Sequence, residues 1–142
     1  MTIAAILKDK GGEVVQIGAD ATVLSAVAIL ADRRIGCLPV VTDGKVVGIF
    51  SERDVIYRLG KEGASSLEAP VGQVMTSPAH TIESDMPVIH ALSLMTKRRI
   101  RHLPVVDGES LVGFISIGDL VKYRIDRIES EAASLRDYIQ SA

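Results

Sequence analysis

The chain has 142 residues, of which 47% are hydrophobic and 24% charged, so it can bury the core of one compact domain or of two small halves. Sixteen Lys and Arg residues against 18 Asp and Glu give a formal charge of -2, which excludes the overall basic charge that non-specific nucleic-acid binding requires. The single cysteine, Cys37, excludes an intrachain disulfide framework and a cysteine-based zinc site, and it favours a reducing compartment, so we expect a cytoplasmic protein.

The N-terminal segment holds a short apolar stretch followed by Lys8, Asp9 and Lys10. It lacks the basic start of a signal peptide, and the sequence has no apolar run of the roughly 18 residues that a membrane-spanning helix needs. We therefore expect neither a signal peptide nor contact with a membrane.

The sequence then repeats itself, without a gap, at an offset of 65 residues. The segment 35–41 falls on 100–106, and both copies end in Leu-Pro-Val-Val. The segment 47–54 falls on 112–119, and both copies place Gly, Ser and Asp at the same spacing. The chain is therefore a tandem duplication.

Both copies predict the same order of elements, β-α-β-β-α. In each copy a segment with apolar residues at helical spacing precedes two short β-branched runs, and a further helix begins after the second run. Asp43-Gly44 and Asp107-Gly108 separate the two runs and are typical of tight hairpin turns. The predicted elements are helices at 23–31 and 88–96, strands at 38–41, 46–50, 103–106 and 111–115, and helices beginning at Glu52 and Ile117.

One unit of about sixty residues buries too little surface to be stable alone, so two units are expected to pack sheet to sheet around a pseudo-twofold axis. The predicted fold class is α/β (α+β). We expect the first repeat at 3–62, the second at 70–125 and a helical extension at 126–142, with residues 60–70 as the connector between the repeats.

The C-terminal extension continues a stripe of apolar residues that alternate four and three positions apart. They are Val121, Ile125, Ile128, Ala132, Leu135 and Ile139. This is the spacing of a heptad seam on a charged helix. The helix is expected either to fold back onto its own domain or to dock a partner.

A Ser followed three residues later by an Asp opens the last helix of each copy, as Ser51 with Asp54 and as Ser116 with Asp119. One interpretation is a helix capping box. The other is a ligand site, because a helix N-terminus attracts anions and a carboxylate can accept hydrogen bonds from both hydroxyls of a ribose. The recurrence of the pair after Val-Gly favours the ligand site.

Arg101 and His102 lie at the entry of a predicted strand, where side chains alternate between the two faces, so at least one should face the space between the repeats. Residues 97–99 are interpreted instead as the basic end of the preceding helix. The first copy has the uncharged Gly36 and Cys37 at the equivalent positions. We therefore expect two clefts of different phosphate affinity, with the one that Asp54 serves the weaker.

The paired Leu-Pro-Val-Val and Gly-x-x-Ser-x-x-Asp segments resemble a tandem CBS-domain (cystathionine β-synthase domain) pair, also called a Bateman module, over about residues 3 to 125. The resemblance implies a regulatory module without a catalytic cofactor. It implies adenosine ligands such as AMP, ADP, ATP, NAD(H) or S-adenosylmethionine in clefts between the repeats. It also implies a homodimer of two pairs in a flat disc.

The resemblance implies ribose contacts from Asp54 and Asp119 and phosphate contacts from Ser51, Ser116, Arg101 and His102. Arg53 is a substitute cation in the first copy, where Gly118 occupies the equivalent position of the second. The residues expected around the adenine are Val14, Val15, Ile35, Gly36 and Cys37 in one cleft, and Thr76, Ala79, His80 and Ile100, with Pro104 nearby, in the other.

Enzyme classes find little support in the sequence. A Walker-type or dinucleotide-binding glycine loop is missing, the three histidines lack the spacing of a metal site, and Cys37 has no neighbouring base. We expect a non-catalytic sensor that acts on an unidentified protein target. The alternative is a ligand-independent oligomerisation or partner-docking protein that uses the C-terminal helix.

Overall fold

The computed structural model describes residues 1–141 and has a mixed α and β architecture, which confirms the predicted fold class. The helices are α1 (Ile3–Lys10), α2 (Val23–Arg33), α3 (Glu52–Glu62), α4 (Val71–Val74), α5 (Val88–Arg98) and α6 (Ile117–Ser141). The strands are β1 (Cys37–Thr42), β2 (Lys45–Ser51), β3 (Ile82–Glu83), β4 (His102–Asp107) and β5 (Ser110–Ser116). A 3₁₀ helix at Gly63–Glu68 follows α3. No helix of the described residues combines the length and the apolar character needed to cross a membrane.

The two hairpins are antiparallel and share one register, in which Cys37 pairs with Ser51 and His102 with Ser116. Asp43 and Gly44 form the first turn with φ of 52° and 79°, as the sequence predicts. The second turn is displaced by one residue from the predicted Asp107-Gly108. Asp107 pairs with Ser110 inside the hairpin, so Gly108 and Glu109 make the turn.

The leading strand of the predicted β-α-β-β-α unit is much reduced. In the second copy it is the two-residue β3, which runs parallel to β4. In the first copy only Ile17 pairs, through an isolated parallel bridge to Val40. Gly18 lies where the second copy has Glu83, and glycine disfavours extended strand, which accounts for the shorter pairing.

Three segments are more ordered than the sequence indicated. The N-terminal apolar stretch forms α1, which was not predicted. The connector, residues 60–70, forms the end of α3, the 3₁₀ helix and the N-cap of α4. The last helix of the second repeat continues without interruption into the C-terminal extension, as one 25-residue helix.

Each repeat completes the hydrophobic core of the other with its leading segment. The first core consists of buried residues 17–50 of the first copy together with Val71 from the leading segment of the second copy. The second core consists of buried residues 82–120 of the second copy together with Ile3 and Ile6 of α1. The two repeats are therefore joined by exchanged segments as well as by the connector.

A glycine allows each exchanged segment to lie close to the hairpin of the other repeat. Thr76 lies alongside β2 in an antiparallel bridge and forms two backbone hydrogen bonds with Ile49, of 2.8 and 2.9 Å. A Cβ on the adjacent Gly48 would lie 2.8 Å from the Thr76 carbonyl oxygen and 2.6 Å from the Met75 sulfur. At Gly113, the equivalent position on β5, an added Cβ would clash with the Leu7 side chain of α1. A side chain at position 48 would push the exchanged backbone away, whereas one at position 113 would require Leu7 to repack.

We expect Gly48→Ala to reduce the free energy of unfolding by about 1–3 kcal/mol, because the added methyl group meets a backbone oxygen that cannot rotate away. The matched control is Gly60→Ala in α3, where an added Cβ has nothing within 4 Å. Since alanine is the better helix former, this control should be neutral or stabilising. Urea unfolding measures both. Equal free energies of unfolding for the two variants would contradict the close approach of Thr76 to Gly48.

Candidate functional site

Two clefts lie between the repeats and share a wall made by Gly36, Cys37 and His102. The Ser116 cleft has a volume of about 350 Å³, and the Ser51 cleft one of about 490 Å³. Each cleft faces the Ser that precedes the last helix of one repeat and the leading segment of the other copy. Both volumes lie in the range of small-ligand pockets.

Ser51 and Asp54 form a complete capping box at the start of α3. The Ser51 amide donates to Asp54 Oδ2 at 2.9 Å, and the Asp54 amide donates to Ser51 Oγ at 3.3 Å. Thr76, from the exchanged segment, donates its hydroxyl to Asp54 Oδ1 at 3.2 Å. The first amide of α3, that of Glu52, donates to the Gly36 carbonyl at 3.0 Å. The motif is thus a cap and also a wall of the Ser51 cleft.

Ser116 and Asp119 make the same reciprocal pair at the start of α6, with distances of 2.9 and 3.1 Å. Here a lysine of α1 takes the place of Thr76. Lys10 Nζ donates to Asp119 Oδ2 at 2.9 Å and to the Phe114 carbonyl at 2.9 Å. Lys10 lines the Ser116 cleft, so a ligand that approaches Asp119 meets the ammonium group.

The environment of Asp119 acts on its pKa in two directions. Burial raises the pKa, but the hydrogen bond from Lys10 and those from Ser116 together hold it below the usual value of 3.8. The carboxylate is therefore ionised throughout the neutral range and is available as a hydrogen-bond acceptor.

The two clefts differ in charge. Three guanidinium groups line the Ser51 cleft, those of Arg53, Arg99 and Arg101, beside the carboxylates of Glu52 and Asp54. Arg99, which follows α5 in the left-handed conformation with φ of 55°, is one of these lining residues. The larger cleft is therefore the more basic one.

The Ser116 cleft is lined by Lys10 and Glu13, and Asp119 lies beside Lys10. His102 adds little positive charge, because burial and the nearby Lys10 lower its pKa below 6.5. Its ring packs edge to face on Phe114, with 5.6 Å between centroids. The more basic lining of the Ser51 cleft argues against the expectation that Asp54 serves the weaker phosphate site, and the relative affinities stay a prediction.

Cys37 lies in the wall between the clefts. Burial, with Asp54 and Glu52 nearby, raises the pKa of its thiol to about 12. A thiol with such a pKa is not a nucleophile at neutral pH. Cys37 therefore contributes shape to the clefts.

Most of the sequence-predicted residues fall into these two clefts. The Ser116 cleft contains Ser116, Val14, Val15, Ile35, Gly36, Cys37 and His102. The Ser51 cleft contains Ser51, Arg53, Asp54, Thr76, Ala79, His80, Ile100 and Arg101, with the shared Gly36, Cys37 and His102. Asp119 lies behind Lys10 at the edge of its cleft.

Pro104 lines neither cleft, because it is buried inside β4 opposite Phe114, so its assignment as a site residue was wrong. Sequence analysis also missed Lys10, Glu13 and Arg99. Arg99 was interpreted only as a helix-end charge. Lys10 carried no signal, because it lies outside the aligned copies and reaches the second repeat only through the exchange of α1.

Comparison with known proteins places both repeats in one family. The model of the CBS domain matches residues 9–61 and 71–126. The mitochondrial CBS domain-containing protein CBSX3 of Arabidopsis thaliana is 34% identical, over 98% of this chain and 72% of the relative.

Two solved structures extend the likeness to the fold. The CBS-domain containing protein ATU1752 from Agrobacterium tumefaciens is 36% identical and has a TM-score of 0.81, over 87% of this chain and 99% of that one. The CBS domain pair of protein MJ0100 is 26% identical, with a TM-score of 0.78 over 89% and 98% of the two chains. That pair is in complex with 5′-methylthioadenosine and S-adenosyl-L-methionine.

We predict that Lys10→Met makes the free energy of unfolding less dependent on pH in the acidic range. A carboxylate with a lowered folded-state pKa stabilises the fold above its unfolded-state value and loses that contribution as the pH falls through the folded-state pKa. Without the ammonium group the pKa of Asp119 should rise towards 3.8. The wild type should therefore be more stable than Lys10→Met at about pH 6.

Urea unfolding at a series of pH values measures this difference, which should shrink as the pH falls from the unfolded-state value of about 4 through the lower folded-state pKa of Asp119. Lys8→Met is the control, because Lys8 lies on the same helix and forms no ion pair within residues 1–141. A difference that stays constant down to about pH 2 would contradict the coupling of Lys10 to Asp119.

Proposed function

Because the chain belongs to the CBS-domain family, we propose that it is a non-catalytic regulatory module whose two clefts bind adenosine ligands. The observation that carries the proposal is that each cleft sets a helix-opening Ser of one repeat against an apolar segment of the other. The Asp bonded to that Ser lines the cleft itself at Asp54, whereas Asp119 lies beside the lining Lys10. A ligand that touches both sides would fix the orientation of one repeat relative to the other.

The carboxylates are proposed to hold the ribose. Asp54 Oδ1 accepts a 3.2 Å hydrogen bond from the Thr76 hydroxyl, so this oxygen already faces a hydroxyl donor across the Ser51 cleft. A carboxylate offers about four acceptor positions, and the capping box uses those on Oδ2. The cap therefore fixes the carboxylate and leaves Oδ1 to a diol. Asp119 is fixed in the same way by Ser116.

Apolar groups beside each carboxylate are proposed to hold the adenine. Ile49, Ala79 and Ile100 line the Ser51 cleft, and Val14, Val15 and Ile35 line the Ser116 cleft. These side chains cover a planar base without reading its substituents, whereas backbone groups of the leading segment can provide hydrogen bonds to its edge. Such a pocket favours adenosine compounds as a class.

The phosphates distinguish the two clefts. Arg53, Arg99 and Arg101 give the Ser51 cleft a concentration of guanidinium groups, which bind phosphate oxygens in pairs. We propose that this cleft takes AMP, ADP, ATP or another phosphate-bearing adenosine ligand. The Ser116 cleft, with Lys10 against Glu13 and Asp119, suits an adenosine ligand of lower negative charge. S-adenosylmethionine, which a similar pair binds, is of this kind.

The output of such a module is a change in shape. Ligand binding shifts the balance between arrangements of the repeats by the difference in affinity for each arrangement. The two Ser-x-x-Asp motifs lie at the N-termini of α3 and α6, so both helices would feel the shift. The flat dimer and the protein target stay predictions.

Titration calorimetry with adenosine, AMP, ADP and ATP, with GTP as the control for the base, tests the proposal. We expect binding that tightens with each added phosphate and is much weaker for GTP. Asp54→Asn keeps an oxygen for the cap but loses the charge, and should reduce affinity by about 1–3 kcal/mol. Asp126→Asn, on the exposed part of α6, is the control. Adenosine ligands that all bind more weakly than about millimolar would contradict the proposal.

Arg101→Ala tests the assignment of phosphate to the Ser51 cleft. This variant should lose most of the advantage of ATP over adenosine and keep its affinity for adenosine, because the guanidinium contacts phosphate alone in the proposed arrangement. Arg98→Ala removes an equal charge from the exposed end of α5, outside the cleft, and should behave as the wild type. Equal losses in both variants would mean that only the general charge of the surface matters.

A further inference from the structure

We propose that the C-terminal half of α6 pairs with the same helix of a second copy of this chain as a parallel, two-stranded coiled coil. This inference is independent of the proposed nucleotide binding. It rests on the exposure of one helix face, on the heptad spacing of that face and on the charges that flank it.

The face is apolar and uncovered in the isolated chain. Leu120 is buried in the second core and Tyr123 packs against that core, whereas the stripe lies on an exposed face of α6. The exposed fractions along the stripe are 43% for Val121, 48% for Ile125, 49% for Ile128, 60% for Leu135 and 64% for Ile139. Ala132 is also exposed. The structure thus excludes the expectation that this helix folds back onto its own domain.

The stripe has the spacing of a coiled-coil seam. Ile125, Ala132 and Ile139 lie seven residues apart and take the a positions of a heptad. Val121, Ile128 and Leu135 lie four residues before them and take the d positions. Such a seam is narrower than the face of a helix that packs into a globular core, and it fits one partner helix.

The charges beside the seam identify the partner as a second copy in parallel orientation. In a parallel pair each g residue faces the e residue five positions further along the other helix. Arg124 then faces Glu129 of the second copy, and Glu131 faces Arg136 of the second copy. By symmetry each contact occurs twice, so all four flanking contacts join opposite charges.

An antiparallel pair loses this complementarity. In the register that keeps all six apolar residues in contact, Glu129 faces Glu129 of the second copy and Glu131 faces Glu131 of the second copy. Lys122 approaches Arg136 of the second copy. Other antiparallel registers leave part of the seam unpaired. The parallel arrangement alone combines the full seam with attractive flanking charges, which selects both the partner and its direction.

Charge exchange across the seam tests the proposal. Glu131→Arg and Arg136→Glu each replace two attractive contacts by two repulsive ones, so each should raise the dimer dissociation constant by about tenfold. The double variant restores both contacts between the helices and has the composition of the wild type. It lacks the 3.4 Å ion pair between Arg127 and Glu131 within α6, so it should recover most, but not all, of the wild-type affinity. Asp137→Arg, at the outward f position, is the control for charge alone. Sedimentation at a series of concentrations measures the five dissociation constants, those of the wild type and of the four variants.

A cross-link reads the orientation directly. In the parallel pair Leu135 faces Leu135 of the second copy, so Leu135→Cys should form a disulfide-linked dimer under mild oxidation. The wild type, whose Cys37 is buried, should stay uncross-linked under the same conditions. In the antiparallel pair position 135 faces position 125, so the two introduced thiols would lie about 15 Å apart and could not be joined.

A double charge variant that stays as weak as the single ones, or a Leu135→Cys dimer that fails to form where the chain is dimeric, would overturn the proposal. A chain that is monomeric with or without residues 126–142 would overturn it as well. Circular dichroism of each variant shows that the exposed substitutions leave the folded body intact.

Discussion

The close approach of the exchanged segments to Gly48 and Gly113 is the constraint from which the rest of the structure follows. Each repeat alone has a two-stranded hairpin and two helices, too little to close a core. Val71 closes the first core, and Ile3 with Ile6 closes the second. The exchange holds the repeats in one relative position, and the clefts are the spaces left along that junction. Stability and ligand geometry are thus set by the same contacts.

Within this symmetric frame the two clefts have diverged through residues at unmatched positions. The Ser–Asp pairs at Ser51 and Ser116 form the same two reciprocal hydrogen bonds, at similar donor–acceptor distances. The third group at each carboxylate differs, because Thr76 is a neutral donor and Lys10 a charged one. The scaffold therefore fixes two acceptors in equivalent places, and the exchanged segments decide which ligand charge each cleft favours.

The duplication was visible in the sequence because helix starts, hairpin turns and buried strands impose local patterns that survive at a fixed offset. The hairpins, the central helices and both Ser-x-x-Asp caps could be predicted for that reason. Lys10 and α1 could not, because their position depends on a contact with the other repeat, more than 100 residues away along the chain. Arg99 was misjudged because a basic residue at the end of a helix is typical of a helix terminus, and only the folded chain shows that it lines the Ser51 cleft. Helix starts, turns and strands can be predicted from local residue types, whereas the exchange of segments depends on contacts between distant parts of the folded chain.

The uninterrupted course of α6 has a mechanical consequence. Its first turn contains Asp119, and its last described residue is Ser141, about 33 Å further along the axis. Because the helix is long and continuous, a tilt of about 5° at its first turn would displace its C-terminal end by about 3 Å. A small shift of the side chains around Asp119 would thus become a displacement at the far end of α6 that is large enough to change its contacts with another molecule.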